Sequence, residues 1–184
     1  MPLCDNPLWP CAMTGAVSCL AGFEDLAIVI HGSSGCYFYP ASLLQTTIYG
    51  THLLESDVIF GSEHRLQEVI GEIGDGYRAV AVVTTCVPSL VGEDIRAILA
   101  GVADVVVDAP GFLGSFEDGY QAALHALGSR TDPDRKGVNI EGLNPIDPYY
   151  RGNIRETQRL FALSGLPYAT LFCADRYDAL SRSA

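Results

Sequence analysis

Short apolar runs alternate with amphipathic stretches along the chain, the order expected of βαβ units around a parallel sheet. Leu26–Ile30, Arg78–Val83 and Ala103–Asp108 read as strands. They are continuous and β-branched rather than alternating, which suits strands covered by helices on both faces. Between them, residues 62–73 place Leu66, Val69, Ile70 and Ile73 at helical spacing. The segment from Gly92 to Gly101 opens with Glu93 and Asp94 and closes on glycine, so it predicts a helix that obeys its dipole. Gly114 to Leu127 predicts a further helix with Ser115 as its cap. Residues 128–136 are polar and read as a linker. Beyond them come a strand from Gly137 to Leu143, a helix from Asn153 to Leu163 stopped by Gly165, and a strand from Tyr168 to Cys173. The expected fold class is α/β. A three-layer Rossmann-like domain with a parallel sheet over residues 1–134 is followed by an incomplete second α/β unit over 135–184. A lone strand–helix–strand has little core of its own, so it must pack on the first domain or belong to something longer.

Composition narrows the function classes. The 184 residues are 48% hydrophobic and 18% charged, enough to bury a sizeable core. Twenty-two acidic residues against 11 basic ones give a net charge of −11, which argues against nucleic acid and anionic membrane surfaces as partners. No apolar run approaches the roughly 20 residues of a membrane span. The first residues lack the basic-then-apolar order of a signal peptide, so a cytoplasmic location is expected. In a reducing compartment the six cysteines are expected to be thiols or metal ligands rather than disulfides.

Ligands of open α/β sheets bind beyond the carboxyl ends of the strands, and the sequence puts its distinctive residues there. Cys36 follows the first strand after His31-Gly-Ser-Ser-Gly35, Cys86 ends the second and precedes a helix, and Cys11 lies just before Thr14-Gly15-Ala16, where a helix begins. Helix amino termini favour thiolates and anionic groups. Free cysteine is equally a common core filler, and that is the reading for Cys4, Cys19 and Cys173. On spacing alone both readings stand for Cys11, Cys36 and Cys86. There is no C-x-x-C, no local ferredoxin-type spacing, no phosphate loop and no Gly-x-Ser-x-Gly elbow. His31 reads as a hydrogen-bonded structural residue ahead of a ligand or proton donor. Glu93-Asp94 reads as helix amino-terminal charge ahead of a carboxylate dyad, and Tyr149-Tyr150 as interdomain packing.

Several ordered motifs carry a resemblance. Cys11-Ala-Met-Thr-Gly-Ala16, Gly22-Phe-Glu-Asp25, His31-Gly-Ser-Ser-Gly-Cys36, Asp57-Val-Ile-Phe-Gly61, the stretch from Thr84 to Ile95, Pro110-Gly-Phe-Leu-Gly-Ser115 and Gly119-Tyr120 occur with fitting gaps. Together they resemble the N-terminal domain of nitrogenase component 1-type oxidoreductases. That superfamily includes molybdenum–iron protein subunits, their cofactor-assembly paralogues, dark-operative protochlorophyllide reductase, chlorophyllide reductase and the nickel-sirohydrochlorin diamide reductive cyclase. The resemblance is close over residues 11 to 120 and looser to Tyr168. It implies that Cys11, Cys36 and Cys86 hold an iron–sulfur cluster at a subunit interface, and that Gly15, Gly35 and Gly92 let backbone approach it closely. Three cysteines cannot complete a four-site cluster, so the resemblance implies a fourth ligand from a second chain or an oxygen donor.

The resemblance further implies a second component 1-type subunit as partner, an ATP-dependent P-loop iron protein as electron donor and a small-molecule substrate. Ser89 stands where β-type subunits carry an acid, and Gly111 where they carry a serine near the P-cluster. Loss of that hydroxyl at Gly111 favours a [4Fe–4S] centre over the P-cluster. No Lys or Arg precedes Arg65, so a cluster on Cys11 and Cys36 is expected to have a low reduction potential. The expected function is that of a nitrogenase-like oxidoreductase subunit, or its N-terminal portion, relaying electrons and not active as this short chain alone. The alternatives are a non-catalytic scaffold for cluster or cofactor assembly, and an inactive truncated fragment.

Overall fold

The computed structural model describes residues 10–73, 76–129, 131, 134 and 137–182. Cys4, read above as a core filler, lies outside the described residues. Four strands, β1 (Leu26–His31), β2 (Ile48–Gly50), β3 (Ala79–Thr84) and β4 (Val105–Asp108), form a parallel sheet in the order β2-β1-β3-β4. The register pairs His31 with Thr84 and Thr84 with Asp108, so three neighbouring strands end side by side.

Alternation along these strands divides the core. Leu26, Ile28 and Ile30 of β1, with Ala79, Ala81 and Val83 of β3, face one side. There they meet α1 (Ala12–Leu20) and the Ala123–Leu127 stretch that ends a long helix starting at Phe116. Val29 and Val82 face the other side and meet Leu66, Ile95 and Leu99. Both faces are covered, as the continuous apolar strands require. Among the described residues, no helix is long and apolar enough to cross a membrane.

Numbering the remaining helices in chain order gives α2 (Ser34–Leu43), α3 (Glu55–Phe60), α4 (Glu63–Glu72), α5 (Cys86–Val91), α6 (Ile95–Ile98), α7 (Phe116–Gly128) and α8 (Tyr150–Ser164). Ser115 caps α7 in a reciprocal box with Asp118, as expected. The helix predicted from Gly92 to Gly101 is shorter. Gly92 closes α5 in the left-handed region at φ +81°, Asp94 caps a new helix by accepting from the Ala97 amide, and only Ile95–Ile98 is helical. The strands predicted over 137–143 and 168–173 pair only through β5 (Asn139–Ile140) and β6 (Thr170–Leu171), parallel to each other.

The carboxyl-terminal segment docks on the Gly22-Phe-Glu-Asp25 motif. Phe23 meets Phe172 and Tyr177 edge-on at 6.4 and 6.5 Å. Asp25 accepts from the Tyr177 amide and pairs with Arg176 at 3.2 Å. Phe172, Cys173, Tyr177 and Leu180 lie in the same apolar cluster as α1. Residues 172–180, placed by the sequence in a second unit, therefore share the core of the first.

The tightest contact in the fold is the crossing of α1 and α7. A Cβ on Gly119 would stand 1.7 Å from the Ala12 carbonyl oxygen, and one on Gly15 would stand 1.9 Å from that of Phe116. Gly119→Ala must force two backbones apart, at a cost of about 3 kcal/mol. In thermal unfolding it is expected to lower the midpoint by many degrees. Gly128→Ala, at a helical glycine with nothing within 4 Å, should be neutral or stabilise by about 0.5 kcal/mol. Equal effects at the two positions would contradict the crossing.

Candidate metal centre at the strand ends

Each of the three singled-out cysteines sits at a helix amino terminus. Cys11 is the residue before α1, Cys36 is the third residue of α2, and Cys86 opens α5. All three are half-buried. Cys36 and Cys86 follow β1 and β3, whose ends are paired. Cys11 is brought across by an antiparallel bridge to Ser115, which the α1–α7 crossing holds in place.

Cys11 and Cys86 converge on Gly111, in the loop after β4. A Cβ there would be 3.4 Å from the Cys11 sulfur and 3.5 Å from the Cys86 sulfur. The Gly111 amide donates to Cys86 Sγ at 3.1 Å. Two thiols thus flank a cradle that a larger residue would begin to fill, with a backbone donor aimed at one sulfur. That is a soft donor set suited to iron–sulfur ligation. Cys36 lies at the neighbouring strand end, where Ser33 Oγ donates to its sulfur at 3.6 Å. Among the described residues, no three His, Cys, Asp or Glu side chains converge tightly enough to hold a single metal ion.

The glycines have separate local reasons. Gly15 is filled against α7, Gly92 is a left-handed helix stop, and Gly35 stands in open space with Ser33 Oγ 3.9 Å from its would-be Cβ. Ser89 Oγ lies 2.9 Å from Asp108 Oδ1, so an acid reaches the Ser89 position from the adjacent strand. The helices bearing Cys36 and Cys86 also present large apolar side chains to solvent. Phe38 and Tyr39 do so on α2 and Leu90 and Val91 on α5, with Phe112 beside Gly111 and Val58, Ile59 and Phe60 on α3. Phe60 is 86% exposed and Phe38 71%, a clustering typical of interaction surfaces.

Behind the cysteine loops lies a buried polar network. His31 is fully buried; its Nδ1 is 3.2 Å from Thr51 Oγ1 and its Nε2 is 2.9 Å from Ser62 Oγ. Glu93 accepts from Ser62 Oγ at 2.6 Å and from the Ser62 amide at 3.0 Å, and its Oε2 lies 3.2 Å from His31 Nε2. Since Ser62 gives its proton to Glu93, the network assigns the Nε2–H tautomer to His31, with Thr51 donating to Nδ1. Burial lowers the pKa of the imidazole, outweighing the raising influence of Glu93. Burial alone would raise the Glu93 carboxyl; hydrogen bonds from Ser62 and His31 outweigh it and leave the pKa below the ordinary value. Ser62, His31 and Glu93 do not form a nucleophilic triad, because serine and carboxylate share one ring nitrogen and the hydroxyl is buried. Sequence reading found His31 as structural but took Glu93 for helix charge and left Ser62 unremarked. Nothing in the spacing 31, 62, 93 announces the contact.

The pH dependence follows in sign. The unfolded chain takes up a proton at His31 near pH 6.5, while the folded imidazole, its pKa lowered by burial, takes it up only at lower pH, so stability falls on acidification below about pH 6.5. Glu93 contributes stability above its unfolded value, near pH 4.5, which is lost as pH drops through the lower folded value. Ser62→Ala strips both groups of a partner and is expected to cost about 1–3 kcal/mol at pH 7. Urea unfolding from pH 7 to pH 2.5 checks this: the cost should shrink as pH drops below about 4.5, and a pH-independent cost would exclude a coupled network.

Comparison with known proteins places the sequence in a family. Residues 11–183 match the model for nitrogenase component 1 type oxidoreductases. The nitrogenase molybdenum-iron protein beta chain of Sinorhizobium fredii is 28% identical over 204 residues, covering 96% of this chain and 39% of the relative. The nitrogenase iron-molybdenum cofactor biosynthesis protein NifE of the same species is 32% identical over 170 residues, covering 76% of this chain and 34% of the relative. A solved structure, "Nitrogenase Cp1 at pH 6.5", superposes with a TM-score of 0.79 at 22% identity, covering 96% of this chain and 39% of that one, which shows a shared fold. The chain spans less than half the length of these relatives. It belongs to the nitrogenase component 1 type oxidoreductase family.

Proposed function

We propose that this chain is a nitrogenase-like oxidoreductase subunit, or its N-terminal portion, in which Cys11, Cys36 and Cys86 hold an iron–sulfur cluster at the interface with a second component 1-type subunit. The observation that carries this reading is the convergence of the Cys11 and Cys86 thiols on Gly111, whose amide donates to one of them. A cluster there would supply one-electron storage and transfer. The protein's own part is to aim three thiols from three loops, donate to sulfur from the Gly111 amide, and keep the rear of the loops dry through the His31 network. The exposed apolar side chains on the same loops support a partner subunit covering the site and completing the ligand set. Gly35 leaves the approach to Cys36 open, and Gly92 lets α5 end short of that face. With glycine at 111, no hydroxyl stands between the thiols, which favours a [4Fe–4S] centre. An ATP-dependent iron protein would deliver the electrons, and a small molecule would receive them.

The NifE relatives favour a second reading, a scaffold on which a cluster or cofactor is assembled. Anaerobic reconstitution with iron and sulfide tests the shared premise. Cys11→Ala, Cys36→Ala and Cys86→Ala should each bind several-fold less iron per chain than the parent, with loss of the visible charge-transfer band. Iron binding equal to the parent in all three would sink the assignment. Reduction of the reconstituted parent by an iron protein only when ATP is present supports the relay; a cluster that forms and resists that reduction leaves the scaffold.

A further inference from the structure

Two cysteines lie outside the proposed ligand set. Cys19 and Cys173 are both fully buried, they stand 154 positions apart in the sequence, and their sulfurs are 3.3 Å apart. Core filling explains burial; it does not require two sulfurs in contact. Each is held firmly. Cys19 lies in α1, clamped by α7. The Cys173 carbonyl accepts from Tyr150 Oη, and its backbone presses on Gly22, where a Cβ would be 1.9 Å from the Cys173 oxygen. Cys173 itself adopts φ +62°, a left-handed conformation that non-glycine residues seldom take. The Tyr120 hydroxyl donates to the Leu143 carbonyl and lies 3.1 Å from the Cys173 sulfur, closing the remaining side. A disulfide needs sulfurs at about 2.05 Å, so bond formation requires an approach of only about 1.2 Å.

We propose that Cys19 and Cys173 are a redox-modifiable pair, which a small-molecule disulfide of the glutathione type converts into a bond stapling the carboxyl-terminal segment to α1. In the first step the Cys173 thiolate attacks one sulfur of the small disulfide, whose S–S bond breaks and releases one thiolate. In the second, Cys19 gives up its proton and attacks the Cys173 sulfur, breaking the mixed disulfide and releasing the second small thiol. Two protein thiols lose two electrons, one small disulfide gains them, and the two protons end on the released thiols. Burial raises the Cys19 thiol pKa well above its ordinary value, and the neighbouring Cys173 adds to the rise, so attack waits on a local opening. Residues 165–182 are the segment able to open, since β6 is only two residues long and pairs only with the equally short β5. Reaction is therefore slow, while the product, with sulfurs already in place, is hard to reduce.

The test equilibrates the full chain, anaerobically and without iron, in reduced and oxidised glutathione at graded ratios. Acid quenching, alkylation and peptide mapping without reductant then identify each linked pair. The Cys19–Cys173 link is expected to reach half-formation at a poise at least about tenfold more reducing than any link among Cys11, Cys36 and Cys86. Its formation should be slower than alkylation of those half-buried thiols. Oxidation should raise the thermal midpoint of the parent and leave that of Cys19→Ala unmoved. Recovery of Cys19 and Cys173 as alkylated thiols at a poise where Cys11 and Cys86 are already linked overturns the proposal. The mapping uses the parent chain, so it stands whether or not the variant folds. It is also independent of cluster binding, so its failure leaves the iron assignment untouched.

Discussion

Two helices that touch backbone to backbone set the geometry of the site. At the α1–α7 crossing the spaces beside Gly15 and Gly119 are taken by the carbonyls of Phe116 and Ala12. Van der Waals contact at that distance leaves no freedom for either helix to slide. The crossing lies within the first two turns of both helices, so it fixes where their amino termini begin. Cys11 stands immediately before one and Ser115 immediately before the other, and the two are bridged. The loop from Ala109 to Gly114 is thereby drawn to Cys11. Any change that widens the crossing moves a candidate ligand before it disturbs the sheet.

The sheet supplies the second constraint. Parallel pairing of β1, β3 and β4 ends the strands in one line, and alternation sends His31 to the face opposite Ile30. On that face His31 reaches Ser62 before α4 and Glu93 before α6. One buried side chain thus ties together the loops flanking Cys36 and Cys86. A fully buried imidazole is costly unless its nitrogens are paired, and here both are. The polar network and the helix crossing act from opposite faces of the sheet on the same row of loops.

The sequence exposed the frame of this arrangement more readily than its joints. Continuous β-branched strands and the Ser115 cap are local signals, and the strands from Leu26 and Arg78 and helix α7 follow them closely. The helix expected after Gly92 shrank because Glu93 is spent on His31 and Ser62, partners 62 and 31 positions away that no period reports. α2 was unreadable for a different reason: it starts in a Gly- and Ser-rich loop and contains Pro40, so propensity argues against a helix that packing imposes. The Gly22-Phe-Glu-Asp25 motif was legible as a pattern and opaque as a device. Its role as socket for Phe172, Arg176 and Tyr177 depends on chain 150 residues away. The cysteines were legible as residues of the loops beyond the strand ends, but the convergence of Cys11 and Cys86 on Gly111 required the tertiary fold.

Electrostatics at the strand ends pull in two directions. Lys and Arg are absent before Arg65, and Arg65 itself is spent on Glu68 and the Thr51 carbonyl, so no cation from this stretch is left to stabilise added negative charge. Helices α1 and α2 nevertheless turn their amino termini toward Cys11 and Cys36, and the Gly111 amide donates to Cys86. Dipoles and amide donors raise the potential of thiolate-bound iron, whereas missing cations and burial under an apolar partner lower it. The helix ends act within about one turn and are weakened by solvent; a partner subunit covering Phe38, Phe60 and Leu90 would remove that solvent and strengthen them. The balance would therefore be set by such a covering surface as much as by this chain. Sealing the face would strengthen the fixed dipoles and raise the cost of adding charge together, so the potential of a cluster at such a site would depend on how completely any covering surface excludes water.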